Sequence, residues 1–524
     1  MKVRYFKYLF FIFILGIMIF AFIKIKGDEQ KKDINGFEAR EENVSEIKEL
    51  KLGIVSFDSI NPILSKNKSV QDFSKLIFEP LMSLSSDYKL QLVLASEWAK
   101  QNDKVYLIKL KNDKKWSDGK SFTAEDVKFT IDKLKEVDSI YSSNVQHIIE
   151  VEVVDKSSIK ITLDEEVPFF EYNLTFPILS KAYYENKEFS LNIVPIGTGM
   201  YKVSDVQESS LILNKNDYYE DKDNLKLEDI SITIYASAGE LYNAFKIGNI
   251  DLISTQNTNL KQYIGTIGYL SKEMKGREHD FIAFNVQSEF FSQINLRKAV
   301  VYSIDKTNIV SSVFSDNYYI SSFPLDYGNW LYNELDTSSG YNVDQAKQIL
   351  QNDGWSYRYK SWQKTQNYKT TSLIIDFVVK ASDTSRVKVA ENIKNQLENQ
   401  GIKVNLIKAS DEQYYNYLIN KNYDMILCSI NLSISPDLST FFGANNLANY
   451  SNTEVDDLMN EIKNTTDENK LKDDYKRLAE IYKVDMPYLS LYNNKYTVVY
   501  NTNLVGFNEM NWFYQFYNLQ IWHK

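Results

Sequence analysis

Residues 105–127 read VYLIKLKNDKKWSDGKSFTAEDV and hold a strand, a turn and a helix start in direct succession. Tyr106, Ile108 and Leu110 fall on one face of Val105–Leu110, the two-residue period of a half-buried strand. Asp118-Gly119 reads as a turn. Trp116 just before it reads as a large apolar anchor, a structural corner rather than a ligand contact. Thr123 followed by Asp126 has helix-capping spacing, and Val127, Ile131 and Leu134 then make an apolar stripe. A strand that feeds an amphipathic helix in this way defines an α/β chain.

The same alternation continues outward. Ile159, Ile161 and Leu163 predict a strand, and so do Ile230, Ile232 and Ile234. Leu373 to Val379 is apolar except for Asp376, as expected of a strand covered on both faces. Ala390, Ile393 and Leu397 line a helix ended by Gly401, and Ile402, Val404 and Leu406 resume a strand. Met425 to Ile430 reads as another buried strand. Val455, Leu458, Met459 and Ile462 define a late helix, and Leu471 to Val484 another, stopped by Pro487. Sheet segments spread over the whole length, with a long middle excursion, predict lobes assembled from non-adjacent segments. Gly197-Thr198-Gly199 lacks the lysine of a phosphate loop and reads as a tight backbone crossing that uses glycine for conformations other residues avoid.

Leu9 to Ile23, LFFIFILGIMIFAFI, is flanked by Lys2, Arg4 and Lys7 before it and Lys24 and Lys26 after it. A span wants about 20 apolar residues, and the lysine stems extend a short one toward the headgroups. Basic residues ahead of it favour an exported carboxyl part. A processing site is poor at Ala21-Phe22-Ile23, and lipidation would need a cysteine just after the run, whereas the only cysteine is Cys428. The expectation is an N-terminal membrane anchor, or else a signal segment, over residues 1–26, a charged spacer over 27–49 and a folded body from Leu50. This puts the protein at the cell membrane, single-pass, with the body on the extracellular face.

The 524 residues carry a net charge of -10, so nucleic-acid binding has no electrostatic support. One cysteine removes intramolecular disulfides. His147, His279 and His523 stand far apart and read as surface or satisfied core residues, so no metal and no cofactor is expected. The sequence has no nucleophile elbow, no His-Glu-x-x-His and no dinucleotide fingerprint, and no catalytic set stands out. Asp383, Asp411 and Asp437 could sit at strand ends, but loop and cap positions are the simpler reading.

Together these landmarks resemble the extracellular solute-binding proteins of family 5, the oligopeptide- and dipeptide-binding components of ATP-driven importers. The resemblance rests on the 105–127 stretch, Gly197-Thr-Gly-Met-Tyr-Lys202, Phe284-Asn285 with Leu296-Arg-Lys-Ala-Val300 and Ser303-Ile-Asp-Lys306. Ala346 to Trp355, Val389 to Val404, Tyr423-Asp424, Asn449-Tyr-Ser-Asn452 with Glu454-Val-Asp456, and Pro487-Tyr-Leu-Ser-Leu491 continue it in order. It implies a two-lobed periplasmic-binding-protein-like α/β fold of type II with an extra subdomain, a hinge and an inter-lobe cleft. Lobe one would take 50–80, 195–284 and 487–524, with the subdomain at 81–194; lobe two would take 285–486.

The resemblance also implies a peptide ligand, delivery to permease subunits with cytoplasmic ATPases, a monomer and no catalysis. Its cleft residues fall near Asn61, Asn285, Ser433, Asp437, Asn446 and Tyr450. Asn285 and Tyr450 would be wall contacts and Asp437 the partner of the ligand's amino group. The chain departs from the family pattern at Cys428-Ser-Ile-Asn-Leu-Ser-Ile-Ser-Pro-Asp437, where the anchoring aspartate would fall near Ser433 or Ile434. That departure keeps blocked, modified or non-peptide ligands open. The alternatives are a receptor of the same fold for a metal chelate, sugar or signalling peptide, and an extracellular hydrolase.

Overall fold

Val105–Leu110 forms the predicted strand, paired antiparallel with Ala95–Asn102 on one side and Ser158–Leu163 on the other. The computed structural model describes residues 48–187, 193–256, 264–265, 268–325, 328–331, 340–507, 510 and 512–524. Trp116 is buried, lies edge-on to Phe122 and donates Nε1–H to Asp126 at 3.4 Å. Asp126 also accepts the backbone N–H groups of Thr123 and Lys181, each at 2.8 Å. One carboxylate therefore ties the turn, the start of helix Ala124–Glu136 and the segment at Lys181 into a structural corner.

Gly197-Thr198-Gly199 crosses Leu76-Ile77 at close range. A Cβ on Gly197 would lie 1.8 Å from the Ile77 carbonyl oxygen, and one on Gly199 would lie 2.6 Å from that of Leu76. Neither glycine has a positive φ. The expectation of an unusual backbone conformation is corrected: these positions need glycine for space.

An eleven-stranded mixed sheet organises the rest of the chain. In spatial order it runs Lys403–Ala409, Ile374–Lys380, Met425–Asn431, Tyr269–Phe284, Tyr488–Asn501, Leu252–Thr255, Glu49–Ile54, Asp229–Ile234, Ser210–Lys215 and Tyr201–Gln207, with Tyr318–Ile320 beside Tyr488–Asn501. Its two halves bury different cores. Leu50, Leu52, Ile230, Ile232 and Leu252 join one, and Ile253 and Val499 pack on the other face under helix Ala238–Lys246. In the other half, Ile282, Phe284, Phe377 and Leu427 face helices Ile294–Tyr302 and Thr384–Asn399. Phe281, Ala283, Val378 and Ile426 face helices Thr453–Asn464 and Glu468–Asp485. Helices on both faces explain why these strands are apolar on both sides.

One detail of that half differs from the sequence reading. Ile374 is 50% exposed and Asp376 is exposed, so only Phe377, Val378 and Val379 form a run buried on both faces. Helix Glu468–Asp485 ends at Met486, which adopts left-handed backbone before Pro487.

The spine of the sheet is the antiparallel pair Tyr269–Phe284 and Tyr488–Asn501, which sequence patterning did not reveal as long strands. It runs from the first core to the second. The register shifts between Lys275 and His279, where Gly276, Arg277 and Glu278 bulge opposite Asn494. Passage between cores thus occurs inside a strand, ahead of Asn285.

His279 is fully buried on this spine, its Nδ1 3.1 Å from Asn493 Oδ1 and its Nε2 without a partner among the described residues. It is a core histidine, but only half satisfied. Cys428 is buried, and burial pushes its thiol up to about 12. Leu9 to Ile23 and most of the 27–49 spacer lie outside the described residues; among these no helix is long and apolar enough to cross a membrane.

Candidate functional site

The register fixes where a ligand fits. Glu49–Ile54 runs parallel to Asp229–Ile234 and to Leu252–Thr255. Ile374–Lys380 runs parallel to Met425–Asn431 and Lys403–Ala409. Along the spine, Thr255 stands level with Thr497 and Glu273, whereas Asn431 stands level with Glu278. Both sets of parallel strands therefore aim their carboxyl ends at the same middle stretch, around the Gly276–Glu278 bulge. Open α/β sheets bind ligands outside such ends.

A cavity of about 450 Å³ opens at the carboxyl ends of Glu49–Ile54 and Leu252–Thr255. Lys68, Asp72, Gln256, Tyr496, Trp512 and Gln515 are among its lining. Asn67 caps the short helix Lys68–Ser74, whose Val70 and Phe73 point into the core. That packing places Lys68 and Asp72 one turn apart and paired, with Asp72 only 10% exposed and Lys68 42%. Lys68 Nζ also lies 4.3 Å above the Trp512 ring, which stacks on Tyr496 at 4.1 Å and 26°. Tyr88 Oη accepts Trp512 N–H at 3.3 Å, and Lys75 donates to the Phe513 carbonyl and lies over its ring. The aromatic wall is thus tethered on both sides. Burial pulls the Lys75 ammonium down to about 7, partly offset by Asp72.

Facing the bulge from the other half is a charged knot. Asp383 caps helix Thr384–Asn399, and Arg386 in its first turn reaches back. Arg386 donates to both Asp280 oxygens at 2.9 Å and to Ser429 Oγ at 2.7 Å, and pairs with Glu278 and Asp383. Burial raises the Asp280 carboxyl against the lowering effect of Arg386. Burial also raises the Tyr496 phenol, with the Glu278 carboxylate adding to it, so the bulge touches both walls electrostatically.

The residues expected from the resemblance scatter. Ser433 follows the carboxyl end of Met425–Asn431, its Oγ 2.7 Å from Ser435 Oγ. Asn61 is buried in the turn after Glu49–Ile54, its Oδ1 accepting Ile63 N–H at 3.2 Å. Asn285 stands at the opposite, amino end of the parallel strands. Its amide donates to the Lys421 carbonyl at 2.9 Å and accepts from Asn449 at 3.0 Å. Asn446 clamps its own loop through the Gly443 and Tyr450 carbonyls at 2.8 and 2.7 Å. Tyr450 donates to Asp485 at 2.5 Å. Asp437 accepts the Ser439 N–H and hydroxyl at 2.9 and 2.5 Å. Asp437 and Tyr450 share a separate cavity of about 530 Å³ with Phe169 and Lys463. Asp383 and Asp411 occupy a helix cap and a first turn.

Lys68, Asp72, Tyr496, Trp512 and Arg386 were not singled out by sequence. The available signals were a Lys–Asp pair at i, i+4 on a helix that otherwise buries, and the aromatic run Trp512-Phe-Tyr514. Among the described residues no group of three metal-ligating side chains occurs.

A mixed sheet with separate cores on its two halves is the architecture of a two-lobed α/β protein. The description "Bacterial extracellular solute-binding proteins, family 5 Middle" matches residues 89–452, and the chain belongs to that family. It is 24% identical over 475 residues to the oligopeptide-binding protein AppA of Bacillus subtilis, covering 85% of this chain and 86% of that one. It is 22% identical over 444 residues to the nickel-binding protein NikA of Staphylococcus aureus, covering 82% and 84%. The crystal structure titled as a nickel ABC transporter from Bacillus halodurans superposes with a TM-score of 0.78 at 19% identity, over 91% of this chain and all of that one.

Proposed function

We propose that this protein is an extracellular receptor that captures peptides in its inter-lobe cleft and delivers them to a separate ABC permease driven by cytoplasmic ATPases. The convergence of both sets of strand ends on the Gly276–Glu278 bulge carries this reading. A ligand held there contacts both halves, and its binding favours the closed arrangement by the difference in contacts between open and closed forms. The oligopeptide-binding relatives supply the ligand class. The family consists of solute-binding proteins, and this chain serves by binding, without catalysis and as a monomer.

Lobe one comprises 50–80, 195–284 and 487–524 with the subdomain 81–194, and lobe two 285–486. Separate cores on the two halves of the sheet support two lobes, although residues 281–284 and 488–492 pack in the cores of the second half. Ser433 contributes to the lobe-two side of the cleft. Leu9 to Ile23 tethers the receptor to the membrane, and residues 27–49 give it reach. A relative is named for nickel; here the cavity at the lobe-one strand ends carries Lys68, Asp72, Tyr496 and Trp512 among apolar residues and no histidine, which argues against direct coordination of a metal ion.

Native mass spectrometry of the full-length protein released from detergent tests the reading. The expected result is a retained set of short peptides. Retention of a metal chelate or a sugar in their place would overturn it.

A further inference from the structure

The Lys68 ammonium sits in surroundings suited to a foreign amine. It is paired with a carboxylate that is 10% exposed and lies 4.3 Å over an indole face. A carboxylate beside an aromatic face is how proteins recognise ammonium groups. Lys68 itself is 42% exposed on a flexible stem and can leave for solvent. Asp72 cannot follow it, because helix Lys68–Ser74 is fixed by Val70 and Phe73 in the core. The neighbouring Lys75 is committed to the Phe513 carbonyl and ring. Asp437, the residue expected to meet a ligand amine, is engaged by Ser439 in its own turn.

We propose that Asp72 and the Trp512 face form the cleft's ammonium site, which Lys68 fills in the empty receptor and surrenders to a primary amine of the ligand. The ligand class is a peptide with a free amino terminus or a lysine-like side chain. This rests on the receptor reading and adds the group that anchors the ligand. The exchange is one ammonium for another, so Asp72 is never left buried and unpaired, a state that would be costly. The aromatic slab of Trp512 on Tyr496 stays in place throughout, since Tyr88 and Lys75 hold its backbone.

The test uses the full-length protein carrying 5-fluorotryptophan, with the Trp512 signal assigned by Trp512→Phe and followed by fluorine NMR. The probes are n-butylammonium and its neutral isostere 1-butanol. Lys68→Met removes the internal competitor, and butylammonium is expected to shift the Trp512 signal at about tenfold lower concentration than in the unaltered protein. Butanol is expected to do nothing, and Asp72→Asn to abolish the response. Equal titrations before and after Lys68→Met, or equal responses to butanol, would overturn the proposal. Lys68→Met leaves Asp72 unpaired until an amine binds, so Lys68→Arg, which keeps the pair, supplies the second comparison. It is expected to raise the butylammonium concentration needed, and an unchanged titration would overturn the proposal. Equal binding of the retained peptides before and after acetylation of every amine, terminal and side-chain, would sink the amine site and leave the receptor intact. A butylammonium site in a protein that retains no peptide would do the reverse.

Discussion

A Cβ on Gly276 would lie 1.9 Å from Oδ1 of Asn494, directly across the long strand pair. That oxygen accepts Glu278 N–H at 3.1 Å, and Asn493 Nδ2 donates to the Gly276 carbonyl at 3.3 Å. The bulge is therefore built by two asparagine side chains replacing ladder hydrogen bonds, and a side chain at residue 276 would push the Asn494 amide out of its bond to Glu278.

Gly276→Ala is expected to lose about 1–3 kcal/mol, because Asn494 must swing away and release Glu278. The same change in an Asn494→Ala background should cost much less. Urea unfolding of the four proteins gives the coupling, and additive costs would refute the clash.

Arg386→Met is expected to destabilise by about 3–5 kcal/mol, because it leaves the Asp280 and Glu278 carboxylates without their guanidinium. Adding Asp280→Asn should recover part of the loss. Arg386→Lys should behave like the methionine variant, since one ammonium cannot reproduce the fork that spans Asp280 and Ser429. Thermal unfolding reads all three.

Asn446→Ala is expected to lower stability by about 2–3 kcal/mol and leave ligand affinity within about twofold. Its amide serves the Gly443 and Tyr450 carbonyls, the Tyr450 N–H at 3.0 Å and the Tyr488 hydroxyl at 3.2 Å. Calorimetric titration of retained peptides separates the two effects. Lost affinity at unchanged stability would return Asn446 to the site.

Burial holds His279 at about 4 against an ordinary 6.5, opposed by its contact with Asn493 and helped by Lys306. As pH falls, the unfolded chain takes up this proton first. The histidine's contribution is complete above pH 6.5 and is lost progressively down to about pH 4, about 3 kcal/mol in all. His279→Gln should flatten that part of the stability profile. Urea midpoints at pH 7 and pH 4.5 for both proteins check it, and parallel profiles would contradict it.

The parts of the fold legible in sequence are those with one period and one environment. Val105–Leu110 and the capped helix after Thr123 keep a single face in a single core. The spine could not be read in this way. Tyr269–Phe284 begins polar, turns through Gly276-Arg277-Glu278, and only then buries Phe281 and Ala283 on one face and Ile282 and Phe284 on the other. Tyr488–Asn501 carries Asn493-Asn494-Lys495 at its centre, which reads as a loop until Gly276 is seen opposite. The site was obscured for a related reason. Asn446 and Asp437 have suitable chemistry, but local backbone uses it up, whereas the partners of Lys68 and Asp72 lie at the far end of the chain in Trp512.

Tyr488–Asn501 is nearly the last strand to be made, yet it lies in the middle of the sheet, between Leu252–Thr255 and Tyr269–Phe284. Until it arrives, Leu252–Thr255 and much of Tyr269–Phe284 present unpaired backbone edges, the template for association between chains. Completion of the sheet therefore waits on Tyr488–Asn501, a segment far along the chain from the strands it joins. A chain lacking Tyr488–Asn501 would leave Leu252–Thr255 and Tyr269–Phe284 without the strand that lies between them.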